Sequence, residues 1–167
     1  MKDMRSEKCV FLSHCLLAQT VRAEGVAKWK AACKPVVQFC LDNDINMIQL
    51  PCPEVSCSAG GLGRPTHGKK FYEENGLREK SIELARGVVM DMNKLIEDGK
   101  EILAIITVHM SPACSPNEGR SPYNPKGIFV EELQVHMKIG KIEIPFIGVC
   151  DRWMKKLDRD LNDLINR

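Results

Sequence analysis

Cysteine thiols follow several of the strands that the sequence predicts. Cys15 ends the apolar run CVFLSHC, Cys52 follows the run INMIQLP, Cys114 comes shortly after EILAIITVHM, and Cys150 ends IPFIGVC. The carboxyl ends of parallel strands share one edge of a sheet, and ligands of open α/β proteins bind at that edge. Thiolates are nucleophiles and ligands of soft metals. The sequence therefore predicts a thiol-lined site at the carboxyl edge of the sheet.

The spacing of the cysteines leaves the occupant of such a site open. The chain has eight cysteines and no CxxC pair, which disfavours a zinc finger, a zinc ribbon and a ferredoxin-type run. Three thiolates and a water molecule could hold a catalytic zinc ion. Three thiolates could equally hold a four-iron cluster in which one iron has no protein ligand. The spacing of the cysteines does not decide between a zinc ion and a four-iron cluster.

Strand and helix patterns alternate along the chain. Near-continuous apolar strands are typical of a parallel sheet that is buried on both faces. We therefore predict one α/β domain over residues 1–167, with a Rossmann-like parallel sheet of about four to five strands and helices on both faces. The predicted strands span 9–15, 45–51, 101–110 and 144–150, and the predicted helices span 28–44, 78–99, 127–140 and 158–167.

Composition excludes several classes of protein. The apolar fraction is 44% and the charged fraction is 28%, as in ordinary soluble domains. A net charge of +2 and an aromatic fraction of 5% disfavour nucleic-acid binding. No apolar stretch has the length of a membrane span, and the N-terminus MKDMRSEK has no apolar signal region. We expect a cytoplasmic protein with no membrane or nucleic-acid partner, and a homodimer is left open.

Three motifs resemble one known family. FLSHCLLAQTVRAEG, CPEV followed by GGLGRPTHGKKFYEENG, and SPACSPNEG look like the DUF523 family of TudS-like desulfidases, and they occur in the same order. The resemblance covers roughly residues 9–150. It implies a [4Fe-4S] cluster held by Cys15, Cys52 and Cys114, whose open iron takes sulfur from a small thiolated substrate such as a thiouracil. Ala18 and Ser115 stand where the family pattern has glycine, which indicates a divergent branch.

The resemblance also gives roles to neighbours of the cysteines. Glu54, in the CPE motif, is predicted to transfer a proton or to activate water as C=S becomes C=O. Ser111 is predicted to orient water or to bind the substrate, with an N-cap or a Ser-Pro turn as its alternative role. Arg64 is predicted to bind a substrate carbonyl or anionic group, and its alternative is a solvated loop position.

The remaining candidates have less specific interpretations. Cys57 and Cys150 could each supply a fourth ligand or accept sulfur, and Cys57, expected in a flexible turn, is the favoured one. Among the histidines, His14 is expected to be structural, His67 to lie at the surface, and His109 to pack on its strand. The alternatives to the desulfidase are a sulfur carrier and a non-catalytic iron–sulfur or zinc protein.

Overall fold

The computed structural model describes residues 3–116, 125–150 and 154–166. The described strands are β1 (Lys8–Ser13), β2 (Asn46–Leu50), β3 (Glu101–Val108) and β4 (Phe146–Val149). They form a four-stranded sheet in the order β2-β1-β3-β4, and every neighbouring pair is parallel. The predicted α/β class with a Rossmann-like parallel sheet is confirmed. Residues 117–119 of the motif SPACSPNEG and Arg167 at the end of the last predicted helix lie outside the described residues.

Helices cover both faces of this sheet. The described helices are α1 (His14–Leu17), α2 (Lys34–Asp42), α3 (Pro53–Ser56), α4 (Lys69–Glu74), α5 (Leu77–Glu97), α6 (Ile128–Ile139) and α7 (Met154–Ile165). Residues of α5 and α6 pack on one face of the sheet, in a cluster that includes Phe11 and Ile105. Residues of α2 and α7 pack on the other face, around Val10 and Ile106. The near-continuous apolar strands follow from this burial on both sides.

Two predicted helices differ from the observed ones at their ends. The predicted helix over 28–44 begins only at Lys34, with Pro35 in its first turn, where the missing N–H of proline has no cost. The residues before it are drawn back toward α1, because Cys33 N–H donates to the Leu16 carbonyl. The last helix begins at Met154 rather than at 158, and Ile165 near its end is 37% exposed.

The strand order places the site. β1 has β2 on one side and β3 on the other, so the chain leaves the sheet in different directions beyond these two strands. Such a reversal of strand order opens a crevice outside the carboxyl ends of the strands. Within the described ranges, no helix has the length and apolar character that crossing a membrane requires.

Candidate functional site

A cavity of about 360 Å³ lies at the carboxyl edge of the sheet. Its walls come from the segments that follow β1, β2 and β3 and from the end of β4. All six residues predicted for the site line it: Cys15, Cys52, Cys114, Glu54, Ser111 and Arg64. The structure therefore brings together side chains that are up to about one hundred residues apart in sequence, as the sheet-edge argument requires.

The three cysteines occupy turns and short helices beyond the strands. Cys15 lies in α1 rather than at the end of β1, because that strand stops at Ser13. Cys52 is the residue that precedes α3, and Cys114 lies in the turn after β3. Each thiol is carried by a segment that also has backbone N–H groups at a helix or turn start, which is a common setting for reactive or ligating cysteines.

Burial dominates the acid–base behaviour of these thiols. It raises the pKa of Cys15 to about 12, with Arg22 lowering this pKa and the Cys52 and Glu54 side chains raising it. Burial also raises the pKa of Cys114 well above its ordinary value, and Cys52 and Cys15 raise it further. The pKa of Cys52 is raised as well, chiefly by burial. Since the thiols influence one another's ionisation, they are neighbours and not merely residues of one large cavity.

The cavity offers thiol and carboxylate groups as possible ligands for a metal ion or a cluster. Among residues 3–116, 125–150 and 154–166, no three His, Cys, Asp or Glu side chains converge closely enough to hold a single metal ion. The thiolates of an iron–sulfur cluster bind different irons, so they stand farther apart than ligands that share one ion. Three neighbouring thiols that line one cavity match, in number and kind, the donors of a four-iron cluster with one open iron.

Glu54 is held from both carboxylate oxygens. Arg64 donates to Oε2 through Nε at 3.1 Å and through Nη2 at 2.8 Å, and Ser111 Oγ donates to Oε1 at 3.1 Å. The side chains of Arg64 and Glu54 are only 5% and 11% exposed, so the ion pair is buried. A carboxylate that accepts from a guanidinium and a hydroxyl has a fixed orientation. The Glu54 carboxylate is therefore held in one orientation within the cavity.

Arg64 uses its guanidinium on the protein itself. Besides the two bonds to Glu54, Nη1 donates to the carbonyl oxygens of Val21 at 2.8 Å and Gly61 at 3.1 Å. The alternative of a solvated loop arginine is wrong, because Arg64 is 6% exposed. This geometry favours a role in positioning Glu54, and the predicted contact of Arg64 with substrate stays a prediction.

Ser111 connects the carboxylate to the Cys114 turn. Its hydroxyl oxygen accepts the backbone N–H of Ala113 at 3.2 Å and of Cys114 at 2.9 Å, while it donates to Glu54. The serine thus organises the turn, as its alternative role required, and faces the cavity as well. One chain of contacts runs from Arg64 through Glu54 and Ser111 to the cysteine backbone.

Two glycines allow backbone to pass directly behind these groups. A Cβ atom on Gly60 would lie 1.6 Å from the carbonyl oxygen of Glu54. A Cβ atom on Gly127 would lie 2.2 Å from the carbonyl oxygen of Ala113 and 2.6 Å from the backbone nitrogen of Cys114. All three distances are far below van der Waals contact. The glycines are therefore required by close approach, one against the backbone of Glu54 and one behind the cysteine turn.

The fourth cysteine of the cavity is Cys150 and not Cys57. Cys57 was expected in a flexible turn, but it is buried at the end of α3, and its thiol lies 3.7 Å from the Glu54 carbonyl oxygen. It does not belong to the cavity lining, whereas Cys150 does. The preference for Cys57 as a fourth ligand was wrong, because α3 directs its side chain into the core.

Other lining residues were not assigned to the site from the sequence. Trp29 and Arg22 lie on the segment between α1 and α2, and both reach the cavity. Gln19, which is 5% exposed, holds this segment: it donates to the Cys15 carbonyl and accepts the N–H of Trp29 at 3.3 Å. A polar glutamine directly after the apolar run CLLA is the available signal in the sequence, but its partners are fixed only in three dimensions.

Two of the histidines, His67 and His109, line the cavity. His109, expected to pack on its strand, is 8% exposed and also lines the cavity, with its ring against the backbone of Gly148. His67, expected at the surface, is half-buried, and its ring stacks on Phe71 with centroids 3.7 Å apart. His14 lies in α1 and is half-buried, and burial lowers its pKa.

Comparison with known proteins gives one relative. The chain is 26% identical over 147 residues to a protein of Methanocaldococcus jannaschii named "Uncharacterized protein MJ0003", an alignment that covers 85% of this chain and 88% of that protein. No protein-family model matches the chain. No solved structure matches it either. The resemblance to the DUF523 desulfidases accordingly stays a prediction, which rests on the three sequence motifs.

Proposed function

We propose that this chain is an iron–sulfur-dependent desulfidase that removes sulfur from a small thiolated compound, of the thiouracil-like thiocarbonyl class, without net redox change. The observation that carries the proposal is the convergence of three neighbouring thiols, an oriented carboxylate and a hydroxyl on one cavity. A structural cysteine cluster would need no such carboxylate. The reaction replaces C=S by C=O, consumes one water molecule and releases hydrogen sulfide.

Cys15, Cys52 and Cys114 are the residues that would hold a [4Fe-4S] cluster. When bound by three thiolates, the cluster supplies one iron without a protein ligand, which is a Lewis acid for thiocarbonyl sulfur. The cavity of about 360 Å³ is of the size that small-molecule sites have.

Glu54 is the base of the proposed reaction. It takes a proton from water that attacks the thiocarbonyl carbon, and this proton can then be passed to the departing sulfur or to a substrate nitrogen. Arg64 holds Oε2, so Oε1 is the oxygen available on the Ser111 side. Ser111 keeps that oxygen beside the Cys114 turn. Arg64 and Ser111 act here as positioning residues, which sets the carboxylate close to the thiols.

A second candidate is a non-catalytic iron–sulfur protein in which four thiolates close the site. It is favoured by one observation, namely that Cys150 lines the same cavity as the three predicted ligands. In favour of the open site, Cys52 and Cys15 both raise the pKa of Cys114, so these three thiols are neighbours. The Cys150→Ala variant distinguishes the two candidates.

The test is the iron and acid-labile sulfide content after anaerobic reconstitution. We expect about four of each per wild-type chain, and a strong loss in Cys15→Ala, Cys52→Ala and Cys114→Ala. Cys40→Ala is the matched control, because Cys40 is buried in the core and does not line the cavity. Cys150→Ala is expected to keep its cluster. Zinc in place of iron, or a cluster that survives loss of the three thiols, would contradict the proposal, and loss in Cys150→Ala would favour the closed site.

A further inference from the structure

Two buried hydroxyl groups lie side by side at the end of the sheet. Ser13 is the last residue of β1 and is 1% exposed, and Thr107 of β3 is 0% exposed. The parallel pairing of β1 with β3 runs through Leu12 and Ile106, the residues immediately before them. Paired residues of adjacent strands project to the same face of a sheet. The two hydroxyls are therefore neighbours on one face.

Neither hydroxyl is satisfied. Within residues 3–116, 125–150 and 154–166, Ser13 Oγ and Thr107 Oγ1 have no hydrogen-bond partner. A buried hydroxyl without a partner costs about 1–3 kcal/mol, and native proteins rarely keep one without a reason. Alanine and valine would fill the same positions without this cost. Two such groups in one layer therefore indicate an acceptor that arrives after folding.

The face on which they lie is the face of the Cys114 turn. Alternation puts Ser13 on the same side of β1 as Phe11, and Thr107 on the same side of β3 as Ile105. Phe11 and Ile105 belong to the core cluster that also contains Cys114. The Ser13 side chain stands next to the Cys114 side chain, so its hydroxyl can reach sulfur there. A hydroxyl donates far better to a thiolate than to a thiol.

We propose that Ser13 and Thr107 donate hydrogen bonds to the sulfur atoms that the loaded site carries at Cys114, and that they thereby set how tightly the cluster is held and at what potential it is reduced. This inference rests on the proposed function. Hydrogen bonds to sulfur stabilise the more negative, reduced state of a cluster. The hydroxyls are thus unsatisfied in the empty chain and satisfied in the loaded one.

The inference predicts opposite effects of the same substitution in the two states. Ser13→Ala and Thr107→Val remove an unsatisfied group from the empty chain, so its stability to urea should be unchanged or higher. In the loaded chain they remove hydrogen bonds to charged sulfur. Transfer of iron to a chelator should become roughly tenfold faster, a factor equal to about 1.4 kcal/mol. The midpoint potential of the cluster should become more negative.

Ser81→Ala is the matched control. Ser81 is 0% exposed, and its hydroxyl also has no partner among the described residues, but it lies in α5 and not at a strand end that leads into a cysteine segment. Its replacement should leave the stability of the empty chain unchanged or higher, and it should change neither the rate of iron transfer nor the potential.

The measurements are urea unfolding of the empty chain, iron transfer to a chelator followed by visible absorbance, and redox titration of the loaded chain. Ser13 and Thr107 variants that match Ser81→Ala in all three would overturn the inference while leaving the proposed function intact. A lower stability of the empty variants would also overturn it, because the hydroxyls would then have a structural partner. A wild-type chain that takes up no cluster would overturn the proposed function and this inference together.

Discussion

Replacement of Glu54 by glutamine is expected to lower the rate of sulfide release from 2-thiouracil by about 10²–10⁴-fold, the range that loss of a general base gives. Glutamine keeps the shape of the side chain and one carbonyl oxygen, but it cannot take a proton from water. The cysteines are unchanged, so iron and sulfide content should stay at the wild-type level. The measurement is the initial rate of sulfide formation per bound cluster under anaerobic conditions.

The same substitution also affects stability, and the two effects must be separated. Glu54 pairs with Arg64 in a buried ion pair, and removal of one partner leaves the guanidinium uncompensated, at a cost of about 3–5 kcal/mol. Rates should therefore be compared where both proteins are folded, as judged by circular dichroism. Glu74→Gln is the control, because Glu74 pairs with Lys70 at 3.8 Å on the exposed surface. Full turnover by Glu54→Gln would exclude the carboxylate as the base.

Gly127→Ala is expected to destabilise the chain by about 1–3 kcal/mol or more and to reduce cluster uptake. The φ angle of −74° at Gly127 suits any residue, so the whole effect comes from contact. The added methyl group would meet backbone atoms of Ala113 and Cys114, which cannot rotate away as a side chain can. Relief requires a shift of the turn that carries the Cys114 thiol.

The comparison for this prediction is Gly87→Ala. Gly87 lies inside α5, and a Cβ atom there would have no atom within 4 Å, so alanine should stabilise the helix by about 0.5–1 kcal/mol. We expect the free energy of unfolding to fall in Gly127→Ala and to rise in Gly87→Ala, as measured by urea unfolding. Opposite signs would confirm that there is no room for a methyl group behind the cysteine turn. Equal effects would show that the turn can move freely.

Much of the fold could be predicted because its signals are local. β3 is a run of apolar residues, and α5 has apolar residues at helical spacing and ends near Gly99, whose φ is +77°. The start of α2 was placed too early, because residues from 28 onward have helical character in sequence. Hydrogen bonds from Gln19 and Cys33 hold that stretch against α1 instead. Such long-range contacts override local preference.

The site was predictable to the extent that strand ends determine it. Cys15, Cys52 and Cys114 could be grouped because parallel strands end at one edge. The burial of Arg64 and its bond to Glu54 could not be predicted, because they depend on the path of the loop through Gly60 and Gly61. A glycine-rich segment shows neither helical nor strand periodicity, so its sequence does not indicate whether a polar side chain points inward or outward.

The order of the three cysteines along the chain determines how much of the chain must be synthesised before all of them can act together. Cys15 and Cys52 leave the ribosome early, but the Cys114 turn is completed only when the first residues of α6 bind it: Ile128 N–H donates to the Pro112 carbonyl, and Phe129 N–H to that of Ala113. A nascent chain shorter than this lacks the third thiol in its final place. In the proposed function, delivery of a cluster to all three thiols must therefore follow synthesis of most of the chain.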